Sequence, residues 1–259
     1  MVTVKQIRER ITIALQDISD APSLDAEFIL RATLPAVLFP LPAHLDDELE
    51  VALLSKIQHM INERKTGKPL AYVLGEWDFY GRPFTVNPNV LIPRPATENL
   101  VAKTLDYIVQ TCQQAERSLV VADVATGSGC VATTLLLEHP TLISHMYATD
   151  ISLRALEVAK HNAEKYAVDS KITFLHGNML DPLENVTIDL VVSNPPYVPS
   201  PELQQPPNAN TRGLQFEPQI ALDGGPLGTT FTDTLLASSL PVIYEGLNGE
   251  ILSHNIPAP

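Results

Sequence analysis

The sequence predicts an α/β protein, a doubly wound sheet with a small N-terminal helical bundle. Three observations predict it. Apolar residues recur at helical spacing through the first 65 or so positions. From position 97 onward, short apolar runs alternate with amphipathic stretches, the pattern of a parallel sheet with helices on its faces. Between them, 66–96 is dense in glycine, proline and aromatic residues and reads as a connector containing a hairpin. The expected division is 1–65, 66–96 and 97–259.

The elements follow in order. Val4, Ile7, Ile11, Leu15 and Ile18 mark a first helix. A second starts near Ser23, the expected N-cap, with Glu27 near the capping-box position. A third is expected over 45–64, broken upstream by Pro35, Pro40 and Pro42. In the larger part, helices are expected over 97–114, 129–138 and 152–166, the last capped by Ser152. Short apolar strands are expected over 119–125, 145–150, 171–176 and 188–193. The stretch 195–218 holds seven prolines and reads as a long loop at the carboxyl rim of the sheet.

Composition narrows the function classes. The chain has 259 residues, of which 45% are hydrophobic, enough for one large domain and a small one. No apolar run approaches the ~20 residues needed to span a bilayer. The N-terminus has neither a signal peptide's apolar segment nor a transit peptide's bias. Cys112 and Cys130 form no disulfide framework, which points to a reducing compartment. The seven histidines show no metal-ligand spacing, so no metal is expected. A net charge of −13 turns the expectation away from nucleic acid and toward a protein or small-molecule substrate. A monomer is expected. So is a cytoplasmic location, or an organellar one were a transit peptide missing.

Two motifs carry chemistry. Ala125-Thr126-Gly127-Ser128-Gly129 joins the first long strand to its helix, and its glycines permit a sharp turn and close ligand approach. Asp150 ends the next strand, where a carboxylate can accept ribose hydroxyls. The G-x-G-x-x-G dinucleotide fingerprint is absent. The shorter loop suits S-adenosylmethionine, which carries no phosphate. Asn178 is placed to bond an adenine edge and Met179 to pack on its face. The second motif, Asn194-Pro195-Pro196-Tyr197, closes the apolar strand 188–193. It joins an amide, a stiff bend and a ring, which suits a planar group bearing an –NH2. Read from residues alone, it is a methyl-acceptor site or simply a strand ended by prolines.

With these motifs in hand, the chain resembles the HemK/PrmC family, the release-factor glutamine methyltransferases. The resemblance rests on Leu24-Asp-Ala-Glu27, the connector Pro69 to Phe84, Leu91-Ile-Pro-Arg-Pro95, Thr126-Gly-Ser-Gly129, Ser193-Asn-Pro-Pro-Tyr197, Phe216-Glu-Pro218 and Ala221-Leu-Asp-Gly-Gly225. It reaches to about Gly249. It implies an S-adenosylmethionine-dependent methyltransferase sheet. The implied reaction is methyl transfer to the side-chain amide of the glutamine in the Gly-Gly-Gln loop of peptide chain release factors. Residues 125–129, Asp150, Met179 and Asn194 would then hold the cofactor. Asn194, Pro195, Pro196 and Tyr197 would hold the glutamine, with Asn194, Pro195 and Tyr197 catalytic, and 1–65 would dock the release factor.

The chain departs from the family pattern at Ala125, Ala96 and Asn178, where Gly, an acid and Asp are usual. After Gly249 it turns polar and ends in prolines, so the last strands of the sheet are expected to be absent by truncation. Two other readings stay open. One is a nucleic-acid amino-methyltransferase acting on a flipped adenine or guanine. The other is a truncated form that binds release factors without turnover.

Overall fold

The computed structural model describes residues 2–208 and 211–256. Part of the 195–218 loop and the terminal prolines of the sequence analysis lie outside the described residues. Chain contacts divide it into two units, 2–75 with 211–216, and 76–208 with 217–256.

The first unit is helical. Strand β1 (Val2–Thr3) leads into α1 (Val4–Leu15). Thr3 caps α1 in a reciprocal box: Gln6 N donates to Thr3 Oγ1 at 3.3 Å, and Thr3 N to Gln6 Oε1 at 3.1 Å. The apolar stripe Val4, Ile7, Ile11 and Leu15 is buried, as its spacing demands. Helix α2 (Pro22–Thr33) begins one residue before the expected cap: Ala21 is the N-cap and Pro22 stands in the first turn. Proline suits that position because the missing N–H has no partner there anyway. The helix expected over 45–64 is shorter than its sequence suggests. Strand β2 (Glu48–Leu49) pairs with β1, so helix α3 starts at Val51 and runs to Lys65 (Val51–Lys65). Helix α4 (Leu70–Leu74) ends at Gly75, whose positive φ of 82° gives a left-handed cap. Arg64 bonds the buried Asp25 carboxylate at 2.9 Å and so ties α3 to α2.

The second unit opens with the expected hairpin, β3 (Glu76–Phe79) and β4 (Arg82–Thr85). There follow α5 (Pro95–Ala115), β5 (Leu119–Val124), α6 (Cys130–Glu138), β6 (Ile143–Asp150), α7 (Leu153–Lys165), β7 (Ile172–His176) and β8 (Leu190–Ser193). Helices α8 (Ser200–Leu203) and α9 (Thr230–Leu236) precede β9 (Val242–Glu245) and β10 (Ile251–His254). The sheet order is β10-β9-β8-β5-β6-β7, parallel except for the antiparallel edge strand β10. Alternate residues of each central strand enter different cores. Leu119, Val121, Leu190, Val192 and Ile243 pack with α5 and α6 side chains on one face. Ala122, Val124, Val191 and Val242 pack with Met179 and Leu235 on the other. Burial on both faces explains why these strands read as unbroken apolar runs. Each fully buried Val or Leu contributes about 1.5–3 kcal/mol.

Two strands beyond the four read from the sequence join the sheet: β9, which lies before Gly249, and β10, which follows it. The five residues joining β9 and β10 form a tight turn, in which Gly246 N donates to Glu250 O at 2.8 Å and Gly249 takes φ 73°. Strand β10 was illegible because an edge strand with one wet face needs no apolar run.

The chain runs β5, β6, β7 in one direction across the sheet, then returns to the other side of β5 for β8 and β9. The switch in order therefore falls between β5 and β8, where open α/β sheets bind ligands at their carboxyl ends.

Candidate active site

Parallel register fixes the site. Val124 pairs with Ser193, and Ser193 with Tyr244. The next residue of each strand is Ala125, Asn194 and Glu245, so these three emerge side by side at the carboxyl edge. A cavity opens there, and all its lining residues belong to the second unit.

The loop after β5 forms one wall. Ala125, Thr126, Gly127 and Ser128 line the cavity, together with Asp150, Asn178 and Met179 from the neighbouring strand ends. Gly127 has φ 54°, and a Cβ there would meet nothing within 4 Å, so its backbone faces open space. Gly129 does not line the cavity. It caps α6, and a Cβ on it would lie 2.9 Å from Ala159 Cβ, so it serves helix packing. Ala125 holds φ 58°, a left-handed conformation that strains any residue with a Cβ.

Buried polar groups hold this loop. Asp150 Oδ2 accepts from Gly127 N at 2.9 Å and Oδ1 from Ser152 N at 2.8 Å. Each oxygen keeps further lone pairs. Burial raises the Asp150 pKa, against the pull of those two N–H donors. Asp123 Oδ2 accepts from Thr126 Oγ1 at 2.7 Å and Ala132 N at 3.1 Å. Full burial pushes its pKa up to about 7. Asn162 donates to Ser128 O at 2.9 Å and Thr85 O at 3.0 Å, joining the loop to the hairpin. Cys130 also lines the cavity, but burial pushes its thiol up to about 12, so it stays neutral.

The opposite wall comes from Asn194 and Pro196. Pro195 and Tyr197 do not line the cavity. The Tyr197 hydroxyl instead reaches Glu245 Oε1 at 3.3 Å, and burial with that carboxylate pushes its pKa up to about 12. Asn194 Nδ2 donates to Thr97 Oγ1 at 2.9 Å. Asn194 Oδ1 is buried and has no hydrogen-bond partner. A buried amide oxygen without a donor is rare in folded chains, and among the described side chains Thr133 Oγ1 and Thr134 Oγ1 share that state.

Five residues of this site were not singled out from the sequence: Thr97, Glu245, Asp123, Asn162 and the Arg94–Glu217 pair's acid, Glu217. Glu217 accepts from Arg94 Nη2 at 2.5 Å and Ile92 N at 3.0 Å, which anchors the segment before α5. The available signal was an acid inside an apolar run, as in Val242-Ile-Tyr-Glu245, because charges enter such runs only with partners.

Similar proteins decide the family. Residues 6–75 match the family model "PrmC N-terminal domain", and residues 100–206 match "Methyltransferase small domain". A release factor glutamine methyltransferase of Moorella thermoacetica is 37% identical over 88% of this chain and 76% of its own length. This chain belongs to the release factor glutamine methyltransferase family. A second member, from Aquifex aeolicus, is 39% identical over 68% of this chain, which spans 60% of that relative's length. Residues 125–128 of the glycine-containing loop and Asn194 and Pro196 of the Asn-Pro-Pro-Tyr motif thus line one cavity in this chain. Among the described residues, no helix is long and apolar enough to cross a membrane, and no cluster of His, Cys, Asp or Glu could hold a metal ion.

Proposed function

We propose that this chain transfers a methyl group from S-adenosylmethionine to the side-chain amide nitrogen of the Gly-Gly-Gln glutamine in a peptide chain release factor. The unpartnered Oδ1 of Asn194, a residue of the cavity wall, carries this reading.

The residues present fit the cofactor. Gly127 opens its backbone to the cavity, and Asp150 has lone pairs left for ribose hydroxyls. Among the described lining residues Arg94 is the one cation, and Glu217 neutralises it. A phosphate-bearing cofactor would find no free positive charge, whereas a sulfonium cation suits walls that carry Asp123 and Asp150. When bound, S-adenosylmethionine supplies an electrophilic methyl group. Ala125, Thr126, Gly127, Ser128, Asp150, Asn178, Met179 and Asn194 would hold it, and Gly129 would aim the helix behind it.

The acceptor needs more help than the donor. An amide nitrogen is a weak nucleophile because its lone pair is shared with the carbonyl. Asn194 Oδ1 accepts one of its N–H groups, which fixes the nitrogen and stabilises the positive charge that builds on it. In this reading the Pro195 carbonyl takes the second N–H and Tyr197 rests against the amide plane. Neither residue lines the cavity of the free chain, so both contacts would form as the substrate enters. Pro195 and Pro196 have no N–H to compete with the substrate and keep the bend stiff. The nitrogen sheds a proton after transfer, so positioning and electrostatics carry the catalysis and no strong base is required. The helical first unit would dock the release factor.

Transfer of labelled methyl from S-adenosylmethionine tests the reading. A purified release factor, DNA and RNA are offered in separate reactions. Label in the release factor alone supports the proposal. Label in nucleic acid alone would replace it with the base-methylating alternative.

A further inference from the structure

The oxygen and nitrogen of an Asn side chain are nearly the same size, so shape alone does not decide which one faces a ligand. Here the decision has chemical weight. An incoming amide N–H needs an oxygen, and an Asn194 NH2 in the same place would repel it. Something must fix the direction of the Asn194 amide.

The neighbours of Asn194 supply a one-way chain of protons. Glu245 is fully buried, and two hydroxyls converge on its carboxylate: Thr97 Oγ1 on Oε2 at 2.8 Å and Tyr197 on Oε1 at 3.3 Å. When ionised, this carboxylate only accepts, so Thr97 then donates its single proton to it. The Thr97 oxygen is then left to accept, and it accepts from Asn194 Nδ2 at 2.9 Å. With Nδ2 held on Thr97, Oδ1 must face the other way; it is buried without a protein partner, on a residue that lines the cavity.

We infer that Glu245, acting through Thr97, sets the direction of the Asn194 amide and so presents its oxygen to the substrate nitrogen. Thr97 and Glu245 are positioning residues: neither needs to touch the reacting atoms. They come from the start of α5 and the end of β9, and the sheet register places Glu245 beside Asn194. A neutral side chain at 245 would free the Thr97 proton to point at Asn194. The amide could then turn and offer NH2 to the cavity. This inference rests on the proposed glutamine-methylating reaction.

The test uses full-length Thr97→Val and Thr97→Ser. Valine keeps the shape and loses the hydroxyl, while serine restores it. Two quantities are measured: binding of a Gly-Gly-Gln peptide by calorimetry in the presence of S-adenosylhomocysteine, and kcat on purified release factor. In Thr97→Val both should fall roughly ten- to a hundredfold, the loss expected for a mis-set buried hydrogen bond, with cofactor affinity within about threefold of the parent. Thr97→Ser should recover most of both. Peptide binding and kcat in Thr97→Val equal to the parent would overturn the inference. So would a serine variant as impaired as the valine one, with cofactor affinity lost in both, because that pattern marks a packing role. If the unsubstituted chain bound no glutamine peptide and methylated no release factor, the proposed function would fall, and this inference with it.

Discussion

Asn194 Nδ2 donates to Thr97 Oγ1 at 2.9 Å while Asn194 Oδ1 stays buried and unpartnered. In the proposed reaction the free end of this side chain accepts the substrate N–H. Asn194→Ala should therefore remove at least about a hundredfold of turnover, the scale seen when a preorganised group that stabilises transition-state charge is lost. Its cofactor affinity should change far less. Steady-state kinetics and calorimetry on the same preparation separate the two effects, and an alanine variant with parental kcat would remove Asn194 from the chemistry.

Ala125 sits at φ 58°, where L residues are strained by roughly 1–2 kcal/mol. Glycine relieves that strain but loosens the unfolded chain by about 0.4–1 kcal/mol. Ala125→Gly should thus stabilise the fold by a net of about 0.5–1 kcal/mol. Urea unfolding measures this directly, and a less stable glycine variant would show that the Ala125 methyl makes a packing contribution larger than its strain.

Asp123 has its pKa raised by burial to about 7. A raised carboxyl holds its proton in the folded state and loses it in the unfolded state between the two pKa values. Its stabilising contribution is full below the unfolded value near 4 and is lost as pH rises to about 7. Asp150 and Glu245, also raised by burial, act in the same direction. Unfolding free energy should fall between pH 5 and pH 7.5, and Asp123→Asn should flatten that slope. Parallel curves for the two proteins would mean that Asp123 is not the group responsible.

Arg94 and Glu217 form a pair with unequal burial: the Glu217 side chain is 2% exposed, the Arg94 side chain 32%. Removing one partner matters most when the other is left buried and charged. Arg94→Ala should destabilise by about 3 kcal/mol, on the scale known for broken buried pairs. Glu217→Ala should cost less, because Arg94 can turn to water. Thermal or urea unfolding of both single variants checks the order, and the reverse order would contradict it.

Much of this fold could be read from the chain. The apolar runs at 119–125 and 188–193 gave β5 and β8 because strands covered on both faces carry no polar alternation. The first helix gave itself away by its buried stripe from Val4 to Leu15. The Gly loop, Asp150 and Asn194 were legible because each ends a readable strand. Glu245 and Thr97 were not, for a physical reason. Glu245 comes beside Asn194 only through the order and register of β8 and β9, and Thr97 reaches both from the start of α5, 148 positions from Glu245. Periodicity records which face a residue occupies, not which strand lies beside it. Strand β10 escaped notice for a different reason: an edge strand is held by its ladder rather than by burial.

The account stands or falls on which atom receives the methyl group. A purified release factor is incubated with this chain and S-adenosylmethionine, digested, and its Gly-Gly-Gln peptide sequenced by mass spectrometry. The account predicts a gain of one methyl group on the glutamine side chain, present with the parental chain and missing with Asn194→Ala. An unmodified glutamine, or equal modification by the alanine variant, would contradict it.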